Sequence, residues 1–152
     1  MKIQTNIYQV VIFGATPGGI SAAISAARRN LKTLLIEPTS HIGGMMSGGL
    51  GRTDIRSLEA SGSIFREFAA MVVEHYTNTY GADSKQVEQC NKGLWFEPSV
   101  ANQIFNQLLA NEPSLDVIMT SNLTDALVKN SQLQSILVET PKEILKVKAS
   151  IF

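Results

Sequence analysis

The stretch Tyr8-Gln9-Val10-Val11-Ile12-Phe13-Gly14-Ala15-Thr16-Pro17-Gly18-Gly19 decides the fold. Val10 to Phe13 is a short apolar run that stops at a glycine. A glycine-rich turn follows, then the alanine-rich segment Ile20 to Ala27. A second apolar run, Thr33-Leu34-Leu35-Ile36, ends in Glu37. Strand, tight turn, helix, strand and acid make one βαβ unit, the physical form of a dinucleotide site.

Each residue of the turn has a reason. Gly14 lets the chain bend sharply with no side chain in the way. Gly18 and Gly19 let the helix lie close to the sheet and let backbone approach a ligand. Pro17 suits the first helical turn, where its missing N–H is not needed. The free N–H groups of that turn, with the positive end of the helix dipole, favour a pyrophosphate. Ile20, Ala23, Ile24 and Ala27 fall on one face and are mostly small, so the helix packs tightly on the strands. Arg28 and Arg29 complement the negative helix end. A carboxylate at Glu37 accepts hydrogen bonds from ribose hydroxyls and repels a 2′-phosphate, so the expected ligand has a free adenosine ribose. Thr16 stands at the second glycine of G-x-G-x-x-G. Its Cβ takes up space there, while its hydroxyl is able to donate to a phosphate.

The 152 residues amount to one domain, with a hydrophobic fraction of 44% and a charged fraction of 17% that are ordinary for a globular chain. Zero net charge and the lack of any basic stripe argue against nucleic acid. One cysteine, Cys90, has no internal disulfide partner, and with two distant histidines it forms no metal-ligand pattern. Lys2 before an apolar run imitates a signal peptide, but Gly14, Pro17, Gly18 and Gly19 break the run. No stretch reaches the roughly 18 apolar residues of a membrane span, so a cytoplasmic location is the expectation.

Beyond Glu37 comes Pro38-Thr39-Ser40-His41-Ile42-Gly43-Gly44-Met45-Met46-Ser47-Gly48-Gly49-Leu50-Gly51. Its glycines rule out a stable helix, and Ile42, Met45, Met46 and Leu50 are too apolar for a linker. An ordered loop with backbone close to a ligand is expected. Ile64, Phe65, Phe68, Met71, Val72 and Tyr76 form a helical stripe over about residues 60–76. Residues 77–93 read as a polar excursion, and Cys90 within it has neither a base nor an oxyanion site in view. Pro98 opens a second helix whose buried face is Ala101, Ile104, Phe105, Leu108 and Leu109, ending near Asn111. Leu115 to Met119 is a third parallel strand. Leu123 to Lys129, Leu133 to Thr140 and Glu143 to Phe152 follow as an antiparallel meander. The chain stops inside the last apolar run, which suggests a truncated chain.

Four stretches together resemble the bacterial FAD-dependent oxidoreductases of the two-dinucleotide-binding flavoprotein superfamily. They are Val11 to Ile20, Leu35 to Met45, Ser47 to Gly51, and Phe96-Glu97-Pro98-Ser99-Val100-Ala101. Threonine for the second glycine is a common variant in that family. The resemblance implies a Rossmann-like FAD-binding α/β domain over residues 1–152, with a parallel sheet and an antiparallel β-meander truncated in its last strand. It places the FAD pyrophosphate on Gly14, Thr16, Pro17, Gly18 and Gly19. It places the adenosine ribose at Glu37 and Pro38, and the ribityl and flavin side along Gly43, Gly44 and Met45. A backbone group near Leu123 would meet the adenine. Ser99 stands where members often carry a histidine. His41 lies near where some flavoproteins attach FAD covalently, and a non-covalent role is expected. A second FAD motif and the substrate domain are not in the chain, so the catalytic residues are unassigned.

The resemblance thus implies an oxidoreductase whose flavin carries the redox chemistry on a small-molecule substrate, with the isolated chain not itself turning over. Two other readings stand beside it: an NAD-binding dehydrogenase domain, and a non-catalytic truncated remnant. The Gly43-Gly44 loop argues against the first, because an NAD fold usually runs from the acid into another helix. No nucleic-acid, membrane or metal partner is expected. Self-association through exposed sheet surface is.

Overall fold

The computed structural model describes residues 4–152. Lys2, part of the signal-peptide question, lies outside the described residues. The chain divides into two compact units. One holds the residues up to Ile42 together with Glu112–Phe152, and the other is Gly43–Asn111.

The first unit is built on two sheets. Strands β2 (Val10–Phe13), β3 (Thr33–Ile36) and β4 (Leu115–Ile118) run parallel in the order β2-β3-β4. Strands β1 (Gln4–Ile7), β5 (Asn122–Lys129), β6 (Gln132–Glu139) and β7 (Ile144–Lys148) form a second sheet in the order β1-β7-β6-β5. β5, β6 and β7 are the expected antiparallel meander, and β1 joins β7 in parallel. The β5–β6 turn places Asn130 and Ser131 at φ 50° and 60°, the left-handed pair that a two-residue hairpin demands.

Alternation along the strands sorts the layers. Val11, Leu34 and Ile36 pack against Ile136, Val138, Leu145 and Val147 of the meander to form one core. Helix α1 (Pro17–Ala27) lies on the parallel strands and buries Ile20, Ala23, Ile24 and Ala27, the face read from their spacing. The helix starts at Pro17 as its chemistry requires. At its end Arg29 caps the Ser25 carbonyl at 2.7 Å, and Arg28 Nε meets Glu112 Oε1 at 2.6 Å.

One expectation for this unit needs correction. The run Glu143 to Phe152 is not one strand. β7 ends at Lys148, the chain bends, and Ile151 pairs in parallel with Val10. The free edge of β2 supplies the reason: Val11 N–H donates to Ile151 O at 2.9 Å, and Ile151 N–H donates to Gln9 O at 3.1 Å. β1 was also not anticipated, since Gln-Thr-Asn-Ile carries no strand pattern of its own.

The second unit is helical. It holds α2 (Ser63–Tyr80), α3 (Lys85–Gln89) and α4 (Pro98–Ala110); Phe68 of α2 stacks on Phe105 of α4 at 4.8 Å and meets the edge of Phe96 at 5.2 Å between ring centroids. α2 buries Ile64, Phe68, Ala69, Val72 and Tyr76, while Phe65 and Met71 of the expected stripe are half-buried. The excursion over 77–93 is better ordered than its composition suggested. α2 continues to Tyr80, and α3 is capped by the Ser84 hydroxyl, which accepts from Val87 N–H at 3.3 Å. Within the expected ordered loop, Met46–Leu50 forms one wide π-helical turn, and Gly49 at φ 134° breaks it.

Candidate cofactor-binding site

The glycine turn leaves β2 with Gly14 at φ 103°, a conformation open to glycine, and Gly14 N–H donates to Ile36 O at 2.7 Å. A Cβ at Gly19 would collide with the Gly14 carbonyl and would also lie 3.4 Å from Ile12 Cγ2. Gly19 therefore serves the close docking of α1 on β2. Gly18 differs: a Cβ there would meet nothing nearer than Thr16 Oγ1, at 3.9 Å.

Thr16 takes a part that glycine cannot. Its hydroxyl oxygen accepts from Gly19 N–H at 3.2 Å and caps α1, which leaves the hydroxyl proton available to a ligand. Pro17 has no N–H, and Ile20 N–H is turned back to Thr16 O at 2.8 Å. Among the described residues Gly18 N–H has no protein acceptor. One exposed donor at the positive end of a helix, beside a free hydroxyl proton, fits a phosphate oxygen.

Glu37 closes β3 and is 8% exposed. Its carboxylate is fully engaged on one oxygen. Oε1 accepts from Thr39 N–H at 2.9 Å and from Thr39 Oγ1–H at 2.7 Å. Oε2 accepts from Ala15 N–H at 2.7 Å. Burial favours the neutral acid, but the bonds from Thr39 and Ala15 and the nearby His41 outweigh it, holding the carboxyl below its ordinary range. The acid is thus ionised at neutral pH and tied directly to the glycine turn. Neither Ala15 nor Thr39 was singled out from the sequence. Ala15 contributes only backbone, and Thr39 looks like a spacer residue.

Other candidates fall in different surroundings. Pro38 follows Glu37 and is half-buried. Thr120 N–H donates to Thr39 O and Ser121 N–H to Glu37 O, both at 3.0 Å, so the chain just after β4 runs beside the acid. Leu123 lies two residues on, in the exposed edge strand β5. In the second unit Gly43 stands at φ 94°, and a Cβ there would come within 2.6 Å of Phe105 Cδ2 and would also strike Ser47. Packing on α4 accounts for that glycine without a ligand. Gly44 adopts φ 49°, and the Met45 side chain is exposed. His41 is exposed, and its N–H donates to Thr39 Oγ1 at 3.1 Å. Cys90 is buried, with Sγ–H donating to Val87 O at 3.1 Å. Ser99 is exposed near the start of α4.

Fold and turn define a Rossmann-type nucleotide-binding protein. Residues 9–152 match the family described as FAD dependent oxidoreductase, and the chain belongs to that family, whose cofactor is FAD. Digeranylgeranylglycerophospholipid reductase of Methanocaldococcus jannaschii is 44% identical over 43 residues, which are 28% of this chain and 11% of that protein. Among solved structures, L-proline dehydrogenase from P. horikoshii is similar with a TM-score of 0.60 at 14% identity, over 99% of this chain and 23% of that one. A geranylgeranyl bacteriochlorophyll reductase-like protein from Thermoplasma acidophilum has a TM-score of 0.56 at 18% identity, over 97% of this chain and 38% of that one. At such identities these two structures speak for the fold. The chain spans well under half the length of each of these three proteins. The NAD-binding alternative is not favoured by the family match. Among the described residues no helix is long and apolar enough to cross a membrane.

Proposed function

We propose that the chain binds the ADP half of FAD through the glycine turn and Glu37, as the FAD-binding portion of an oxidoreductase acting on a small molecule. The observation that carries this reading is the bond from Ala15 N–H to Glu37 Oε2 at 2.7 Å, which ties the ribose acceptor to the phosphate-binding turn. Gly18 N–H and the Thr16 hydroxyl face the phosphates, with Gly14 and Gly19 shaping the turn and Pro17 starting the helix. Glu37 accepts from the ribose and disfavours a 2′-phosphate, while Pro38 directs the chain away from it. Backbone near Leu123 meets the adenine. By the family resemblance alone, Gly43, Gly44 and Met45 take the ribityl and flavin side. FAD supplies the redox chemistry when bound; these residues hold and orient it.

Replacing Glu37 by Gln keeps the shape but weakens charge-assisted bonds worth about 1.5–3 kcal/mol. Affinity for ADP and FAD, measured by calorimetry and by flavin fluorescence, is expected to fall by roughly tenfold or more. Unchanged affinity would remove Glu37 from the site.

A further inference from the structure

A carboxylate has about four acceptor positions, two on each oxygen. At Glu37 three are filled from within the protein. The Thr39 hydroxyl has one proton and two acceptors in reach, Glu37 Oε1 at 2.7 Å and His41 O at 3.1 Å. The shorter, charge-assisted bond takes the proton. Its oxygen in turn accepts from His41 N–H at 3.1 Å, which holds the hydroxyl in place. Oε1 is therefore saturated, and among the described residues the one open acceptor position lies on Oε2, beside Ala15 N–H.

We infer that Thr39 is a specificity-determining positioning residue. By occupying Oε1 it limits Glu37 to a single ribose hydroxyl, so the chain recognises an adenosine nucleotide through one of its two ribose hydroxyls and is nearly indifferent to the other. This rests on the proposed ADP-binding role of Glu37 and adds to it the selectivity of that contact. The two hydroxyls are chemically alike, so a carboxylate with both oxygens open would accept from both, and losing either would weaken binding similarly. With Oε1 closed, the second hydroxyl finds no charged acceptor without first displacing Thr39.

The test uses the 152-residue chain and three probes, ADP, 2′-deoxy-ADP and 3′-deoxy-ADP, with dissociation constants from calorimetry. In the unsubstituted chain one deoxy analogue is expected to bind about tenfold or more weaker than ADP and the other within about twofold, as expected for losing one charge-assisted hydrogen bond. Thr39→Val removes the hydroxyl and opens Oε1, so both analogues should then lose affinity relative to ADP. Thr39→Ser should keep the one-sided profile. Equal losses for both analogues in the unsubstituted chain would overturn the inference while leaving Glu37 as the ribose ligand, and that result needs no variant to fold. A Thr39→Val profile unchanged from the parent would also overturn it. If ADP does not bind, or Glu37→Gln binds ADP as well as the parent does, the reading of Glu37 fails and this inference falls with it.

Discussion

Gly19 lies directly against Gly14, so that any Cβ on Gly19 would run into the Gly14 carbonyl, whereas a Cβ on Gly18 next to it would make only an ordinary contact with Thr16 Oγ1 at 3.9 Å. The two glycines look alike in the sequence but do different work. Gly19 is a packing residue, and Gly18, on the proposed reading, borders the FAD phosphates.

Their substitutions should therefore separate. Gly19→Ala forces backbone against backbone, which no rotamer change relieves. It should destabilise the chain by about 1–3 kcal/mol or more, the range for overpacking. Gly18→Ala has room and a helical setting, so stability should be unchanged or rise by up to about 1 kcal/mol. Urea unfolding of the two variants measures the difference, and equal midpoints would contradict the assignment of Gly19 to packing.

Glu37 predicts an acid-dependent term. Its carboxyl is held below the ordinary 4.5 because the bonds from Thr39 and Ala15 outweigh burial. A depressed folded value means that the native state favours the ionised form. The resulting stability is fully present above the ordinary value and is lost as pH falls through the folded one. The stability gap between the unsubstituted chain and Glu37→Gln should be constant at neutral pH and shrink on acidification below about 4.5. Chemical unfolding at a series of pH values reads this directly. A gap independent of pH would show that Glu37 does not titrate differently on folding.

Helix faces were legible because apolar spacing reports burial directly: Ile20, Ala23, Ile24 and Ala27 in α1, and Ala101, Ile104, Phe105, Leu108 and Leu109 in α4, are all buried. β1 was not legible, since Thr5 and Asn6 are polar and its partners, from Leu145 to Lys148, lie at the far end of the chain. The bend after Lys148 was hidden for a related reason. Apolar residues continue through Ile151, and only the unfilled edge of β2 says where they go. At the candidate site, glycines and acid were visible as a motif. The donors that orient the acid were not, because a backbone N–H has no letter of its own and a threonine two residues on has many ordinary roles. Gly43 shows the converse: a glycine read as making room for a ligand is already required by the ring of Phe105.

Tyr8 joins the start of the first unit to β4. Its O–H donates to Asp116 Oδ2 at 2.9 Å, and Lys32 Nζ lies 4.7 Å from the ring centroid. Partial burial, then the hydrogen bond to Asp116, then the negative charge of that carboxylate push the phenol up to about 12. The native state thus prefers the protonated phenol over a tyrosinate facing a carboxylate. Because the folded value is raised, this contribution is fully present below the unfolded value of about 10 and is lost as pH rises toward the folded one. Tyrosinate absorbance, titrated upward in pH, should show a late component that disappears in Tyr8→Phe. Tyr76 is also raised, by burial first, so the difference between the parent and Tyr8→Phe is what isolates Tyr8. Asp116→Asn should move that component to lower pH without bringing it down to about 10, because burial persists when the charge is gone. Tyr8→Phe itself should cost about 0.5–1.5 kcal/mol at neutral pH, the usual net worth of one hydrogen bond. A late component that stays in place in Asp116→Asn would mean that burial alone raises Tyr8 and that Asp116 contributes nothing to it.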